Sequence, residues 1–340
     1  MAQTARISPF QNHPHPCGAE WLIPGLSVKP HFVICGAMKS GTSTLHHILA
    51  SHPGVFIPQI EPQFFCCDDF DGLCECSAYQ GNDRVSPPNY HGWDRLWQWY
   101  SKLFKPGVEA GKVLGEDCAG YLYSRMALKR LAQLQPPPKL IVALRQPAER
   151  AYSQYWHMAK TGRSLYTFEN TLNFDPEGVL YRSRYKQHLA VLFDVFPREQ
   201  VHVIIFEEFL RRPCSVMEKL CRFLDIDFGR LPENWKDTHA NPAKLPKFLA
   251  LDRFMNRFLF HQRTRKYLRQ FNMLDVPREN TFGRKLGRLV NNVHRRFNPI
   301  VEKRPPKLSA QIKHALDQHF RCEFEGLADL LDKDIHELWF

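Results

Sequence analysis

His31-Phe-Val-Ile-Cys-Gly-Ala-Met-Lys-Ser-Gly-Thr-Ser-Thr-Leu45 joins an apolar run, a loop bounded by Gly36 and Gly41, and the start of an amphipathic helix. The run 32–35 suits a strand buried on both faces. The two glycines permit a tight backbone path, and a helix from Thr42 toward Ala50 begins with N–H groups that have no partner inside the helix. Those groups and the helix dipole both stabilise an anion, so the stretch reads as a phosphate cradle between a strand and a helix. The spacing Gly36-x4-Gly41 matches the front of a Walker loop, yet Thr42 stands where a nucleotide triphosphatase needs its lysine; the loop's lysine is Lys39. That displacement argues against ordinary ATP hydrolysis. Lys39, followed by Ser40, Thr42 and Ser43, suits a 5′-phosphate and its bridging oxygen without the usual metal-coordinating geometry.

A second buried-strand pattern, Lys139-Leu-Ile-Val-Ala-Leu144, runs into Arg145-Gln-Pro-Ala-Glu-Arg-Ala-Tyr-Ser153. Arg145 offers a planar fork for phosphate, Pro147 suits the first turn of a helix, and Ser153 lies about two turns along it. A third segment, Ile60-Glu-Pro-Gln-Phe-Phe65, sets Glu61 beside a proline and two phenylalanines. Partial desolvation there raises a carboxyl's pKa toward a useful range for a base.

Together, the Lys39 loop, the Arg145 to Ser153 segment and the acidic residue ahead of Phe64-Phe65 resemble the sulfotransferase family. The resemblance implies an enzyme whose donor is 3′-phosphoadenosine 5′-phosphosulfate (PAPS). It implies that Ser40, Gly41, Thr42 and Ser43 cradle the 5′-phosphate, that Lys39 stabilises the leaving oxygen, and that Arg145 and Ser153 hold the 3′-phosphate. Glu61 then accepts the proton of a hydroxyl, or less readily an amine, on a carbohydrate or a small-molecule or lipid acceptor. Asn241-Pro-Ala-Lys244-Leu-Pro-Lys247 is similar to the family loop that closes over the nucleotide, which makes Lys244 and Lys247 candidate PAPS contacts. The end of the chain, from Pro305 through Phe324, Leu327, Leu330 and Trp339, is similar to the family's C-terminal helical pair. Two positions depart from the family pattern. Ile60 stands where many members carry a lysine, and Asp117, in Gly115-Glu-Asp-Cys-Ala-Gly-Tyr121, stands where relatives show one; Glu116 and Asp117 are candidate acceptor-site residues.

The chain has 340 residues, 44% of them hydrophobic and 13% aromatic, enough for a large core. Apolar and polar segments alternate as strand, helix, strand from 31 to 225, which predicts one α/β domain of the P-loop type with a central parallel sheet flanked by helices. Strands are expected near 31–36, 112–116, 139–144 and 201–206, and helices near 41–51, 124–134, 147–160, 180–196 and 213–224. Residues 1–29 read as a polar leader and 30–340 as the catalytic domain. The junction Glu207-Glu208-Phe-Leu reads as scaffold.

Between Lys244 and Lys307 there are 17 Lys or Arg against 4 Asp or Glu, a local balance of +13 beside +11 for the whole chain. Such a stripe attracts polyanions or an anionic membrane surface. The apolar spacing of Phe248, Leu251, Met255, Phe258 and Leu259, among arginines up to Arg269, fits either an interfacial helix or a helix packed on the sheet with a basic outer face. No stretch approaches the ~20 apolar residues of a membrane span, and Met1 to Gly25 lacks the apolar core of a secretory signal, so a cytoplasmic enzyme with free thiols is expected. Cys66, Cys67, Cys74 and Cys76 share one loop but lack paired zinc spacing, and no metal is assigned. No nucleic-acid partner is expected, and the sequence assigns no oligomeric state. Two other readings use the same residues: a P-loop small-molecule kinase, and a non-catalytic module for polyanions or membranes.

Overall fold

The computed structural model describes residues 21–22, 28–67, 69, 79–80, 83–84, 93–238, 244–268 and 282–340. Five strands make the central sheet: β1 Phe32–Gly36, β2 Val55–Phe56, β3 Val113–Asp117, β4 Lys139–Leu144 and β5 Val201–Ile205. They lie in the order β2-β3-β1-β4-β5, all parallel, with Phe32 opposite Gly115 on one side and Lys139 on the other. The four strands read from the sequence are present within a residue or two. The short edge strand β2 carried too little apolar pattern to be read.

Alternation along β1 explains why the sheet is covered twice. Phe32 and Ile34 face a layer that includes Leu45 and Ile48 of α1 (Thr42–Ser51) and Met217 and Leu220 of α7 (Pro213–Phe223). Val33 and Cys35 face the opposite layer. That second layer is built by α2 (Trp93–Glu109), α3 (Arg125–Gln133), α4 (Pro147–Thr161), α5 (Tyr185–Phe193) and α10 (Ala310–Glu323). A strand with both faces against helices has no polar positions to spare, which is why 32–35 reads as a continuous apolar run. The short helix α6 (Phe206–Arg211) follows β5 directly. Its Glu207 accepts from the Gln146 amide at 3.0 Å and from the Trp339 indole at 2.9 Å, a scaffold role for this junction.

Two expectations change. The helix expected over 180–196 is divided into Glu177–Leu180, a 3-10 turn Tyr181–Ser183, and α5. The buried Ser183 hydroxyl accepts from Arg150 Nε at 2.5 Å and donates to the Pro147 carbonyl at 3.0 Å, and these ties to α4 outweigh helical continuity. Trp21, inside the span read as a polar leader, is a core residue: it stacks on Trp97, and its indole donates to Gln133 at 2.7 Å. The folded unit therefore starts earlier than residue 30.

Beyond residue 243 the chain forms β6 (Lys244–Pro246), paired antiparallel with β7 (Ile300–Glu302), and between them the helices α8 (Leu249–Leu268) and α9 (Phe282–Phe297). β6, α8 and α10 all pack on α4. Phe324, Leu327 and Trp339 close the C-terminal end against Tyr185.

Candidate active site

Because all five strands run the same way, the segments leaving their C-terminal ends collect at one edge of the sheet. The loop 37–41 follows β1, Glu61 lies just beyond β2, Asp117 ends β3, Arg145 follows β4, and Phe206 follows β5. The chain passes from β1 to β2 and β3 on one side, then to β4 and β5 on the other. That reversal beside β1 opens the crevice in which parallel α/β sheets bind ligands.

The loop after β1 is tied at three points. The Ala37 amide donates to the Ala143 carbonyl at 2.8 Å, the Met38 amide to the Tyr123 hydroxyl at 3.1 Å, and the Ser40 amide back to the Ala37 carbonyl at 3.2 Å. Lys39 and Gly41 both take left-handed backbone, at φ 69° and 92°. At Gly41 a Cβ would also lie 2.8 Å from the Phe206 ring, so glycine is required twice over. Gly41 caps α1 without a side chain and the first turn holds no acidic residue, which leaves its N–H groups for an anion. The Ser40 hydroxyl is buried at 1% exposure beside the Tyr185 phenol. An uncapped helix start and a close-packed glycine together fit a bound phosphate.

The Arg145 motif shares two neighbours with this loop. The Phe206 ring that crowds Gly41 also faces the Arg145 guanidinium, 5.3 Å from the ring centroid. The Tyr185 hydroxyl beside Ser40 donates to the Arg145 carbonyl at 2.8 Å. Neither Phe206 nor Tyr185 was singled out from the sequence, since an aromatic at a strand end and one in a helix look like ordinary core. Arg145 pairs with Glu149 at 3.3 Å, and Ser153 is half-buried two turns along α4. Lys244 and Lys247 are exposed, at the β6–β7 ladder against α4 rather than within a loop; residues 241–243 lie outside the described residues.

Glu61 is held in place by the Phe64-Phe65 pair three and four residues on. Phe64 and Phe65 are fully buried among Trp97, Tyr100 and Tyr121; the Phe65 carbonyl accepts from Arg130 at 3.0 Å, and its amide donates to the Tyr121 hydroxyl at 3.3 Å. Glu61 is exposed as a residue, while protein crowds its carboxyl group. Burial of that carboxyl, then the negative charge of Asp117, push it up to about 8; the nearby Lys39 ammonium opposes them. Glu61, Asp117 and Lys39 thus form one electrostatic group.

Asp117 and Glu116 divide the strand end between them. Asp117 is 3% exposed, with Oδ2 at 3.3 Å from Nδ1 of His46 on α1 and Oδ1 without a hydrogen-bond partner among the described residues. His46 sits one turn beyond Thr42 on α1, and only the pairing of β1 with β3 brings it to Asp117. Glu116, a candidate acceptor-site residue by sequence, is fully buried and accepts from Tyr100 and Tyr121 at 2.5 Å each. It is scaffold. Burial raises its carboxyl to about 7, against the two tyrosine hydrogen bonds that lower it. Cys66 and Cys67 are buried; Cys74 and Cys76 lie outside the described residues.

The sulfotransferase domain profile matches residues 29–275. Among curated proteins, the bifunctional heparan sulfate N-deacetylase/N-sulfotransferase 2 of Homo sapiens is 29% identical over 211 residues, 58% of this chain and 22% of that protein. The Bos taurus counterpart is 31% identical over the same shares, and a Drosophila melanogaster N-deacetylase/N-sulfotransferase is 27% identical over 218 residues. The matched region thus covers about a fifth of those relatives' length. Among solved structures, a sulfotransferase from Alicyclobacillus acidocaldarius superimposes with a TM-score of 0.51 at 28% identity, covering 72% of this chain and 97% of that one.

Proposed function

The chain belongs to the sulfotransferase domain family, and from that premise we propose that it transfers a sulfuryl group from PAPS to a nucleophile on a carbohydrate, a hydroxyl first and an amine second. The observation that carries the reading is the sharing of Phe206 and Tyr185 between the Lys39 loop and Arg145, with Glu61 in the electrostatic reach of Lys39. A single nucleotide with phosphate at both ends suits two neighbouring anion sites on one sheet edge. The carbohydrate class draws on the heparan sulfate relatives, and their N-sulfotransferase activity keeps an amine in view.

In this reading PAPS supplies the sulfuryl group and departs as adenosine 3′,5′-bisphosphate. The N–H groups at the start of α1 and the Ser40, Thr42 and Ser43 hydroxyls hold the 5′-phosphate. Lys39 neutralises charge that develops on the leaving oxygen, where a preorganised cation is worth more than in water. Arg145 and Ser153 hold the 3′-phosphate, with Lys244 and Lys247 as further nucleotide contacts. Glu61 takes the acceptor's proton as the bond to sulfur forms, and its raised pKa suits that task near neutral pH. Burial of the carboxyl keeps that pKa high, and the Asp117 charge adds to it. We place the reaction in the cytoplasm, where buried thiols such as Cys35 and Cys221 stay reduced.

Incubation with PAPS labelled in its sulfur and a panel of desulfated glycans tests the assignment. Label transferred to a glycan, and lost with Glu61→Gln, supports it. Phosphoryl transfer from ATP with magnesium, in place of label transfer, would replace it with a kinase.

A further inference from the structure

Fifteen large apolar side chains are exposed among the described residues, and ten of them lie between Phe248 and Ile300. They are not scattered. On α8, Leu251, Phe254 and Phe258 recur at three- and four-residue spacing and share one face, while Asp252, Asn256 and Leu259 on the flank are buried. Asn256 donates to the Ser164 carbonyl at 2.7 Å and Arg253 to the Tyr155 hydroxyl at 3.1 Å, which fixes α8 against the domain through that flank. On α9, Leu286, Leu289, Val290, Val293 and Phe297 form a second apolar face, exposed from 37% to 71%. The two faces border a groove of about 510 Å³ whose walls are Leu251, Met255, Leu289, Val290, Val293 and Phe297 with His294. The Asp252 carboxylate lies 2.9 Å from His294 Nε2 and forms an ion pair with Arg295 at 2.9 Å, so the helices are pinned together at one level while their apolar faces stay open.

Charge decides what covers this surface. The described stretches 244–268 and 282–307 hold 15 Lys or Arg against 2 Asp or Glu. Arg288 and Arg296 are both exposed on α9, Arg296 at the border of the apolar face, one turn beyond Val293. A second copy of the chain would bring two such basic surfaces together, and a soluble polyanion would leave the phenylalanines in water. An anionic bilayer satisfies both features, because acyl chains receive the apolar face and phosphate headgroups receive the cations. No helix among the described residues is long and apolar enough to cross a membrane, so the contact is peripheral.

We infer that the α8–α9 hairpin is a docking surface for an anionic phospholipid membrane. This is independent of the sulfuryl-transfer reading. The test is co-sedimentation of the full chain with vesicles of phosphatidylcholine alone, or with about a third phosphatidylserine. Binding is expected only to the second kind. The pair Phe258→Ser and Phe297→Ser, both mostly exposed and outside the proposed catalytic groups, is expected to weaken it at least tenfold, about the loss per buried aromatic side chain. Leu289→Ser with Val293→Ser serves as an independent pair, with an unchanged melting temperature as the check on folding. Equal binding by both apolar pairs would overturn the inference in favour of a polyanion site. So would failure to bind either vesicle, or conversion of a solution dimer to monomer by these substitutions.

Discussion

Lys39 stands apart from the other cations of the site because its backbone is left-handed and its ammonium acts on Glu61. Removing one preorganised donor costs about 100-fold or more in turnover, so Lys39→Ala is expected to lower kcat at least that much in a sulfuryl-transfer assay while melting unchanged. Glu61 gives a prediction with a sign. With a pKa raised to about 8, the carboxyl is mostly protonated at neutral pH, and kcat/KM should rise with pH through that region as the base form appears. Asp117→Asn removes the adjacent negative charge and should move this limb to lower pH; a limb that stays in place would deny the coupling. At this scale the sequence was informative where chemistry forces a residue type. Lys39, Arg145 and Glu61 were read from their motifs, and the fold brings their three segments to one sheet edge. Phe206, Tyr185 and His46 were not, because their meaning depends on which strands become neighbours. Glu116 was misread for the same reason: two tyrosines distant from it in sequence, or five residues on, consume both its oxygens.

The elements were legible in proportion to how far local pattern decides them. β1 and β4 sit in the middle of the sheet and read as unbroken apolar runs, and α1 and α4 announce themselves through Gly41 and Pro147. The strand-loop-helix unit rests on Gly41, where positive φ and the Phe206 ring both exclude a side chain. Gly41→Ala should cost ~1–2 kcal/mol from the left-handed backbone alone and weaken nucleotide binding, both measurable by denaturant titration and calorimetry. Where tertiary hydrogen bonds compete with local propensity, the pattern failed. Ser183 reaches across to Arg150 and Pro147 on α4 and ends a helical run that the spacing alone would continue. The β6–β7 ladder joins residues more than fifty apart, a pairing no local window contains.

For the molecule as a whole, the parallel sheet was legible from alternating strands and helices, and it brings every strand's sequel to one edge. The start of the folded unit was not, because Trp21-Leu22-Ile23 is too short an apolar run in a proline-broken stretch to be read as core. The Trp21 indole lies against Phe65, Trp93 and Trp97, beneath the segment that carries Glu61. Trp21→Ala should therefore cost about 3–5 kcal/mol in chemical denaturation, a loss that a detached leader would not produce. The central claim is that the Lys39 loop and Arg145 grip two ends of one nucleotide. Calorimetry with adenosine 3′,5′-bisphosphate and with 5′-AMP tests it most directly. The bisphosphate should bind at least tenfold tighter, and Arg145→Ala should abolish that preference while leaving 5′-AMP binding little changed. Equal affinities for the two nucleotides, or a preference that survives Arg145→Ala, would contradict it.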